Sequence, residues 1–319
     1  MKLSDLYKIL SGISPQIEVF FRKLYWNNIS FFSQYQKKIN INRSSSSKVN
    51  FDRIIENLRG RGIRNGQILI VHSSYDLLEY SGLSPEEINS KLIDLVGTKG
   101  TLVMPAIRKY KEEGNLDEYL IKNLDEIVCT YDVKKSKVTS GFLPFMLMQR
   151  SDCFISRFPL NPVVAVGRLA RKMVENNLDG LNPSPHGPNS SWKFCVDNKA
   201  IVVGLGVDMP HFLTITHVNE ECTKDWPIDN WYRKRKFEIT DKDFKTQKDV
   251  LERRPFWGTI YLAENKYRKD LIKNNILKIE TIEGLRISII ESSKLINFLK
   301  DHPRKGYPYY VGSKYFKIN

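Results

Sequence analysis

The sequence has no pair of cysteines that could work together. Its four, Cys129, Cys153, Cys195 and Cys222, stand far apart with no C-x-x-C among them. That spacing excludes a zinc ribbon, a dithiol redox motif and a disulfide scaffold, and it fits reduced thiols in a cytoplasmic protein. No stretch approaches the ~20 uncharged apolar residues that a membrane helix needs. The N-terminus lacks the short apolar core of a signal peptide. No G-x-x-x-x-G-K-[ST] loop occurs, which excludes a P-loop enzyme. Gly204-Leu205-Gly206 lacks the third glycine of a dinucleotide fingerprint.

Acidic side chains are in short supply. There are 36 Asp and Glu against 50 Lys and Arg, a net charge of +14 over 319 residues. The surplus is uneven. Residues 1–50 carry 8 basic and 2 acidic side chains, residues 51–220 carry 20 of each, and residues 221–319 carry 22 and 14. Nucleic acid is the first partner such a charge suggests. Without zinc-finger spacing, an RNP-like strand or an Arg-rich arm, no nucleic-acid partner is expected. The runs Arg233-Lys234-Arg235-Lys236 and Lys134-Lys135-Ser136-Lys137 read as solvated faces, or as contacts for an anionic small molecule or a membrane surface.

What is present is 41% apolar residues, 11% of the chain being aromatic. That excludes wholesale disorder and supports one large or two modest domains at ~150 residues each. Ile17, Phe20, Phe21 and Leu24 recur at helical spacing. They read as the core-facing side of a helix, with an interfacial membrane helix as the alternative. Ser44 to Ser47 mark a linker.

From residue 51 strands and helices alternate. Helical patterns fall at 51–59, at 85–96 behind a Ser84 capping box, and at 141–149, 169–176 and 292–300. Wholly apolar runs, as expected of strands covered on both faces, fall at 68–71, 101–104 and 200–203, with a shorter strand at 163–165. A hairpin about Glu283-Gly284 joins 279–282 to 285–290. Residues 107–137 read as an irregular surface excursion. The alternation predicts a layered α/β fold with ligands collecting at the C-terminal strand ends. Three strands end in polar or Gly/Pro-rich segments: His72-Ser73-Ser74, Met104-Pro105-Ala106 and Gly204-Leu205-Gly206.

The densest cluster of chemical groups is Thr214-Ile215-Thr216-His217-Val218-Asn219-Glu220. Residues three apart on a helix share a face, so Thr214, His217 and Glu220 would line one ridge. A carboxylate beside an imidazole fixes its tautomer and raises its basicity, so that His217 could accept a proton near neutral pH. Thr214 could donate to a developing oxyanion. The competing reading is an ordinary surface or core pairing. His72-Ser73-Ser74 suits an anion or a polarised carbonyl, against simple strand-end capping. Asn189 and Ser190 could begin a helix whose N-terminus holds phosphate, or merely cap it. No H-E-x-x-H spacing points to a metal.

Taken in order, these segments resemble the aminoglycoside 3-N-acetyltransferase family. The carrying residues are Ile70 to Ser74, Gly100 to Pro105, Arg157 to Pro162, Ala165 to Ala170, His186 to Ser191, Val202 to Val207 and Thr214 to Glu220. The resemblance covers about residues 51–300. It implies an α/β/α sandwich and an acyl-CoA-dependent N-acyltransferase using acetyl-CoA or another acyl-CoA. His217 then resembles the family's general base, Glu220 its orienting carboxylate and Thr214 the hydroxyl that steadies the reacting carbonyl. His72, Ser73, Ser74, Tyr75, Pro105, Ala106, Asn161 and Ser190 are the implied cofactor-binding residues, and no metal is implied. Asn161 stands where the family usually has His, which puts any acid–base role there in doubt. The chain divides into a basic N-terminal extension with its Ser-rich linker, 1–47, and an acyltransferase domain, 48–319.

The acceptor expected from charge is anionic. A basic protein steers polycations away, so a nucleotide-linked or otherwise anionic amino sugar of surface-polysaccharide synthesis is the first expectation. An aminoglycoside antibiotic is the alternative, and a non-catalytic glycan- or membrane-binding protein the second. Peripheral membrane contact through residues 1–40 and a homodimer complete the expected partners.

Overall fold

The computed structural model describes residues 14–28, 48–114, 119, 123–303 and 307–311. The serine linker at 44–47 lies outside them. Among the described residues ten strands form two sheets. The large sheet has the order β4-β5-β2-β1-β6-β10-β9, and the small one β3-β7-β8. Strand bounds are β1 Ile68–Ser73, β2 Thr101–Pro105, β3 Val128–Asp132, β4 Phe154–Ile155, β5 Val163–Gly167, β6 Ile201–Leu205, β7 Tyr232–Asp241, β8 Phe244–Arg253, β9 Leu277–Ile282 and β10 Leu285–Glu291. The described helices are α1 Pro15–Asn27, α2 Phe51–Gly60, α3 Tyr75–Leu78, α4 Pro85–Val96, α5 Phe142–Leu147, α6 Ala170–Val174, α7 Ser191–Asp197, α8 His217–Cys222, α9 Glu264–Lys273 and α10 Ser292–Leu299.

Side chains alternate across a strand, and here both sides are covered. Ile68 and Ile70 of β1 join Val103 and Val202 in one core, against Trp192, Val218, Leu271 and Leu295 from α7 to α10. Leu69 and Val71 join Leu102, Met104 and Val203 in the other, against Ile54, Leu58, Ile88 and Leu92 from α2 and α4. The result is the expected α/β/α sandwich. Ser84 makes the predicted capping box with Glu87, and Glu283 and Gly284 both take positive φ in the predicted hairpin turn.

β1 lies parallel between β2 and β6. The chain steps to one side of β1 and later returns on the other. The C-terminal ends of these three strands therefore open a crevice at a switch point in the sheet, where α/β folds bind ligands.

Two expectations need correction. Residues 107–137 are not simply irregular, because β3 pairs in parallel with β7 and founds the small sheet. Nor is Arg233-Lys234-Arg235-Lys236 a solvated face. It lies in β7, whose period of two sends Arg233 and Arg235 inward and Lys234 outward. Arg235 is wholly buried, 3.0 Å from Glu252 and 2.9 Å from Glu113. Arg233 meets the same Glu252 at 2.5 Å, while the outer Lys236 pairs with exposed Glu126. A strand buries alternate residues whatever their charge, and Glu252 and Glu113 make these two tolerable.

The N-terminal helix also departs from expectation. α1 does lie on the body of the protein, but it buries Glu18 and Val19, whereas Phe20 is 60% and Leu24 48% exposed. The reason lies in α9, whose N-cap Ala263 has no side chain to satisfy the first free N–H groups. Glu18 accepts from Asn265 N–H at 3.0 and 3.2 Å. Arg22 donates to Glu264 at 2.6 Å and to the Thr259 carbonyl at 3.3 Å. Polar complementarity, not the apolar stripe, sets the docked face. No helix among the described residues is long and apolar enough to cross a membrane.

Candidate active site

A cleft of about 830 Å³ opens at the ends of β1, β2 and β6. His72, Ser73, Ser74, Tyr75 and Pro105 line it as the sequence suggested, joined by Asp76, Ser140, Phe142, Asp208, His211 and Thr214. His72 is buried between the Trp192 and Phe212 rings, at 6.1 and 6.4 Å. Burial lowers its pKa to about 4, so the ring is neutral at pH 7. Its Nε2 has no hydrogen-bond partner among the described residues. A buried, unpaired ring nitrogen costs free energy that a ligand's polar group would recover.

Three expected cofactor-binding residues lie outside the cleft wall. Ala106 is buried, its N–H bonded to the Pro162 carbonyl at 2.7 Å. Asn161 takes a left-handed φ of 47° and offers its carbonyl to the Trp192 indole at 2.9 Å. Ser190 accepts from Lys193 N–H at 3.0 Å as the cap of the short α7. Capping, the plainer of the two readings of Ser190, is what its hydroxyl does.

A second, small recess of about 80 Å³ adjoins the cleft, and Pro210 and Thr214 belong to both walls. Thr214, His217 and Glu220 all line it, as the spacing predicted. Thr214 opens a short 3-10 turn that runs into α8, so the ridge begins in a tighter helix than an α-helical reading assumes. His217 Nδ1 lies 2.6 Å from Glu220 Oε2. Burial pushes the Glu220 carboxyl up, but His217, Arg253 and Tyr310 outweigh it and hold its pKa at about 2. An ionised carboxylate can only accept, so Nδ1 carries the proton and Nε2 is bare. Burial and the Arg253 charge lower the His217 pKa, despite the upward pull of Glu220. The structure thus reverses the sign of the expected shift. His217, whose side chain is 20% exposed, is held toward the neutral form by its partial burial and by the Arg253 charge.

Sequence reasoning missed Tyr310, Arg253, Tyr267 and Tyr307, and it named His186 without giving it a role. Tyr310 donates to Glu220 Oε1 at 2.7 Å, and Arg253 donates to the Tyr310 hydroxyl at 2.8 Å. His186 stands 5.1 Å from His217, ring to ring, and pairs with the buried Glu221 at 2.9 Å. Tyr267 and Tyr307 complete the recess. The one available signal was the aromatic cluster Tyr307-Pro308-Tyr309-Tyr310, close to the chain's end.

A neutral imidazole, oriented by a buried carboxylate beside a strand-end cleft, is what a base-assisted group transfer requires. Residues 70–302 match the profile of the family described as Aminoglycoside 3-N-acetyltransferase. The chain belongs to that family. Aminoglycoside N(3)-acetyltransferase IX of Micromonospora chalcea is 24% identical over 179 residues, which make up 54% of this chain and 62% of that relative. The match thus spans less than two thirds of that relative's length. Among solved structures, the binary complex of AAC-IIIb with CoASH superposes with a TM-score of 0.65 at 18% identity, over 80% of this chain and 96% of that one. AAC-VIa bound to sisomicin gives 0.61 at 15% identity, over 77% and 94%. At such identities the structural likeness speaks for the fold.

Proposed function

We propose that this protein moves an acyl group from an acyl-CoA thioester to a primary amine of a cationic, aminoglycoside-like amino sugar. The observation that carries the chemistry is the 2.6 Å contact between His217 Nδ1 and the ionised Glu220, at a recess that meets the cleft at Thr214. An amine is protonated at neutral pH and cannot attack until it loses that proton. His217 Nε2 takes it, and Glu220 stabilises the imidazolium that results. The amine nitrogen bonds to the acyl carbon, the C–S bond breaks, and the thiol leaves with a proton. Thr214, shared by both walls, donates to the carbonyl oxygen as it gains negative charge.

The residues present suit the uncharged pantetheine and thioester end of an acyl-CoA. The Ser73, Ser74 and Ser140 side chains offer polar contacts along the walls of the large cleft, with the unpaired His72 Nε2 buried just behind. The thioester supplies the activated acyl group. Four free cysteines suit a cytoplasmic setting, where acyl-CoA is available.

The charge of the site supports a cationic acceptor. Among the described residues the cleft is lined by Asp76 and Asp208, the recess by Glu220 and Glu264, and neither by Lys or Arg, although Arg286 pairs with Asp208, Arg22 with Glu264 and Arg253 approaches Glu220, so that Asp76 carries most of the attraction. The surplus of +14 lies elsewhere, with Arg233 and Arg235 already paired inside the small sheet. Chain-wide charge, the basis for expecting an anionic acceptor, is therefore a poor guide to this site. The test is thiol release from a panel of acyl-CoAs with gentamicin-like aminoglycosides and nucleotide-linked amino sugars in parallel. Turnover of the polycations is expected. Turnover of nucleotide-linked sugars alone would overturn the acceptor assignment, and no release with any amine would overturn the activity.

A further inference from the structure

We infer that Tyr310 and Arg253 are positioning residues for the His217–Glu220 pair, and that the C-terminal segment Tyr307 to Val311 is a strap that completes the site. The inference rests on the reading of His217 as the base. Tyr310 lies beyond the span 70–302 that matches the family.

The strap is held by the backbone. Ala263 N–H donates to the Tyr309 carbonyl at 2.7 Å and Val311 N–H to the Tyr261 carbonyl at 3.0 Å, an antiparallel bridge that pairs Leu262 with Tyr310. Aromatic packing holds the Tyr310 ring as well, 5.1 Å from Trp231 and 5.4 Å from Tyr307. The hydroxyl is thereby fixed where it donates to Glu220 Oε1 at 2.7 Å and accepts from Arg253 Nη1 at 2.8 Å. The other carboxylate oxygen is left for His217. Because Glu220 is buried and bonded at both oxygens, its rotamer has little freedom, and neither has the ring it orients.

Arg253 does a second thing. Its Nη1 is 3.4 Å from His217 Nδ1 and 3.7 Å from Glu220 Oε2. A guanidinium so close opposes any second positive charge on the ring. The other groups facing His217 are Glu220 on its own helix, His186 from the loop before α7, and Glu264, Tyr267, Tyr307 and Tyr310 around the recess. Of these charges Glu220 raises the His217 pKa, while Arg253 lowers it and is the largest influence after burial. Position and charge thus come from two residues distant in sequence, and both are delivered by the strap and β8.

The experiment follows the histidine carbon resonances of the full chain through a pH titration, beside steady-state kinetics. Arg253→Met should move the His217 midpoint up, and Arg253→Lys, which keeps the charge, should restore it. Tyr310→Phe keeps the ring and its packing but loses the hydroxyl. It should lower kcat roughly tenfold or more, the size of a lost hydrogen bond to a charged group, with KM for acyl-CoA little changed. An unmoved midpoint in Arg253→Met together with an unchanged kcat in Tyr310→Phe would overturn the inference. Retained turnover in His217→Ala, with the midpoint still moving in Arg253→Met, would overturn the base assignment alone and leave the electrostatic role standing.

Discussion

Glu220 follows His217 by one helical turn, and its carboxylate lies 2.6 Å from the Nδ1 of the ring. That contact leaves Nε2 as the free base of the site. His217→Ala should lower kcat by about 10²–10⁴-fold, the usual yield of base catalysis, with acyl-CoA affinity nearly unchanged. If the pair serves packing alone, the variant will melt earlier while its folded fraction turns over normally.

The wild-type pH–rate profile should rise through a single limb whose midpoint lies below the ordinary histidine value of about 6.5. The sign follows from burial and Arg253, which both disfavour the imidazolium. Activity needs the neutral ring, so a lowered pKa extends the active range toward acid. A midpoint above that value would contradict the arrangement.

Thr214→Val keeps the shape and removes the hydroxyl. One oxyanion donor is typically worth about 10²–10³-fold in kcat. The loss should appear in kcat and not in substrate affinity, because the donor acts on charge that develops only during reaction. An equal loss in affinity would show that the hydroxyl serves binding.

His72 links stability to pH. Its folded pKa of about 4 lies below the ordinary value, so the unfolded chain takes up a proton first. Stability from the neutral ring is full above about 6.5 and falls as the pH drops toward 4, by about 3 kcal/mol at most. Denaturant midpoints measured from pH 7 to 4 should fall accordingly, and His72→Phe should flatten that slope. A parallel decline in the variant would assign the effect to other groups.

A protein beginning at Lys48 should keep its turnover number, since Glu18 and Arg22 hold α1 to Thr259, Glu264 and Asn265 and not to Thr214, His217 or Glu220. It should melt earlier, because Asn265 loses the Glu18 carboxylate and Glu264 loses Arg22. Normal melting would make the docked helix an ornament, and lost turnover would make it part of the site.

Much was legible without coordinates. The apolar runs of β1, β2 and β6 were readable because strands covered on both faces leave few polar positions. The Ser84 capping box, the Glu283-Gly284 turn and the Thr214–His217–Glu220 ridge were readable because each is a local rule of spacing. The β7–β8 hairpin was harder. Its Arg, Lys and Glu residues imitate a solvated surface, and only the partners Glu252 and Glu113 make burial affordable.

The sequence by itself determined which residues form the strands and the first ridge of the site, because those depend on neighbours a few positions away. Tertiary structure alone decided the docked face of α1, the burial of Arg233 and Arg235, and the neutrality of His217. Each of these turns on groups far apart in sequence: Glu18 with Asn265, Arg235 with Glu113, Arg253 and Tyr310 with Glu220. A charge is cheap or costly according to what faces it once the chain has closed, and no local pattern records that.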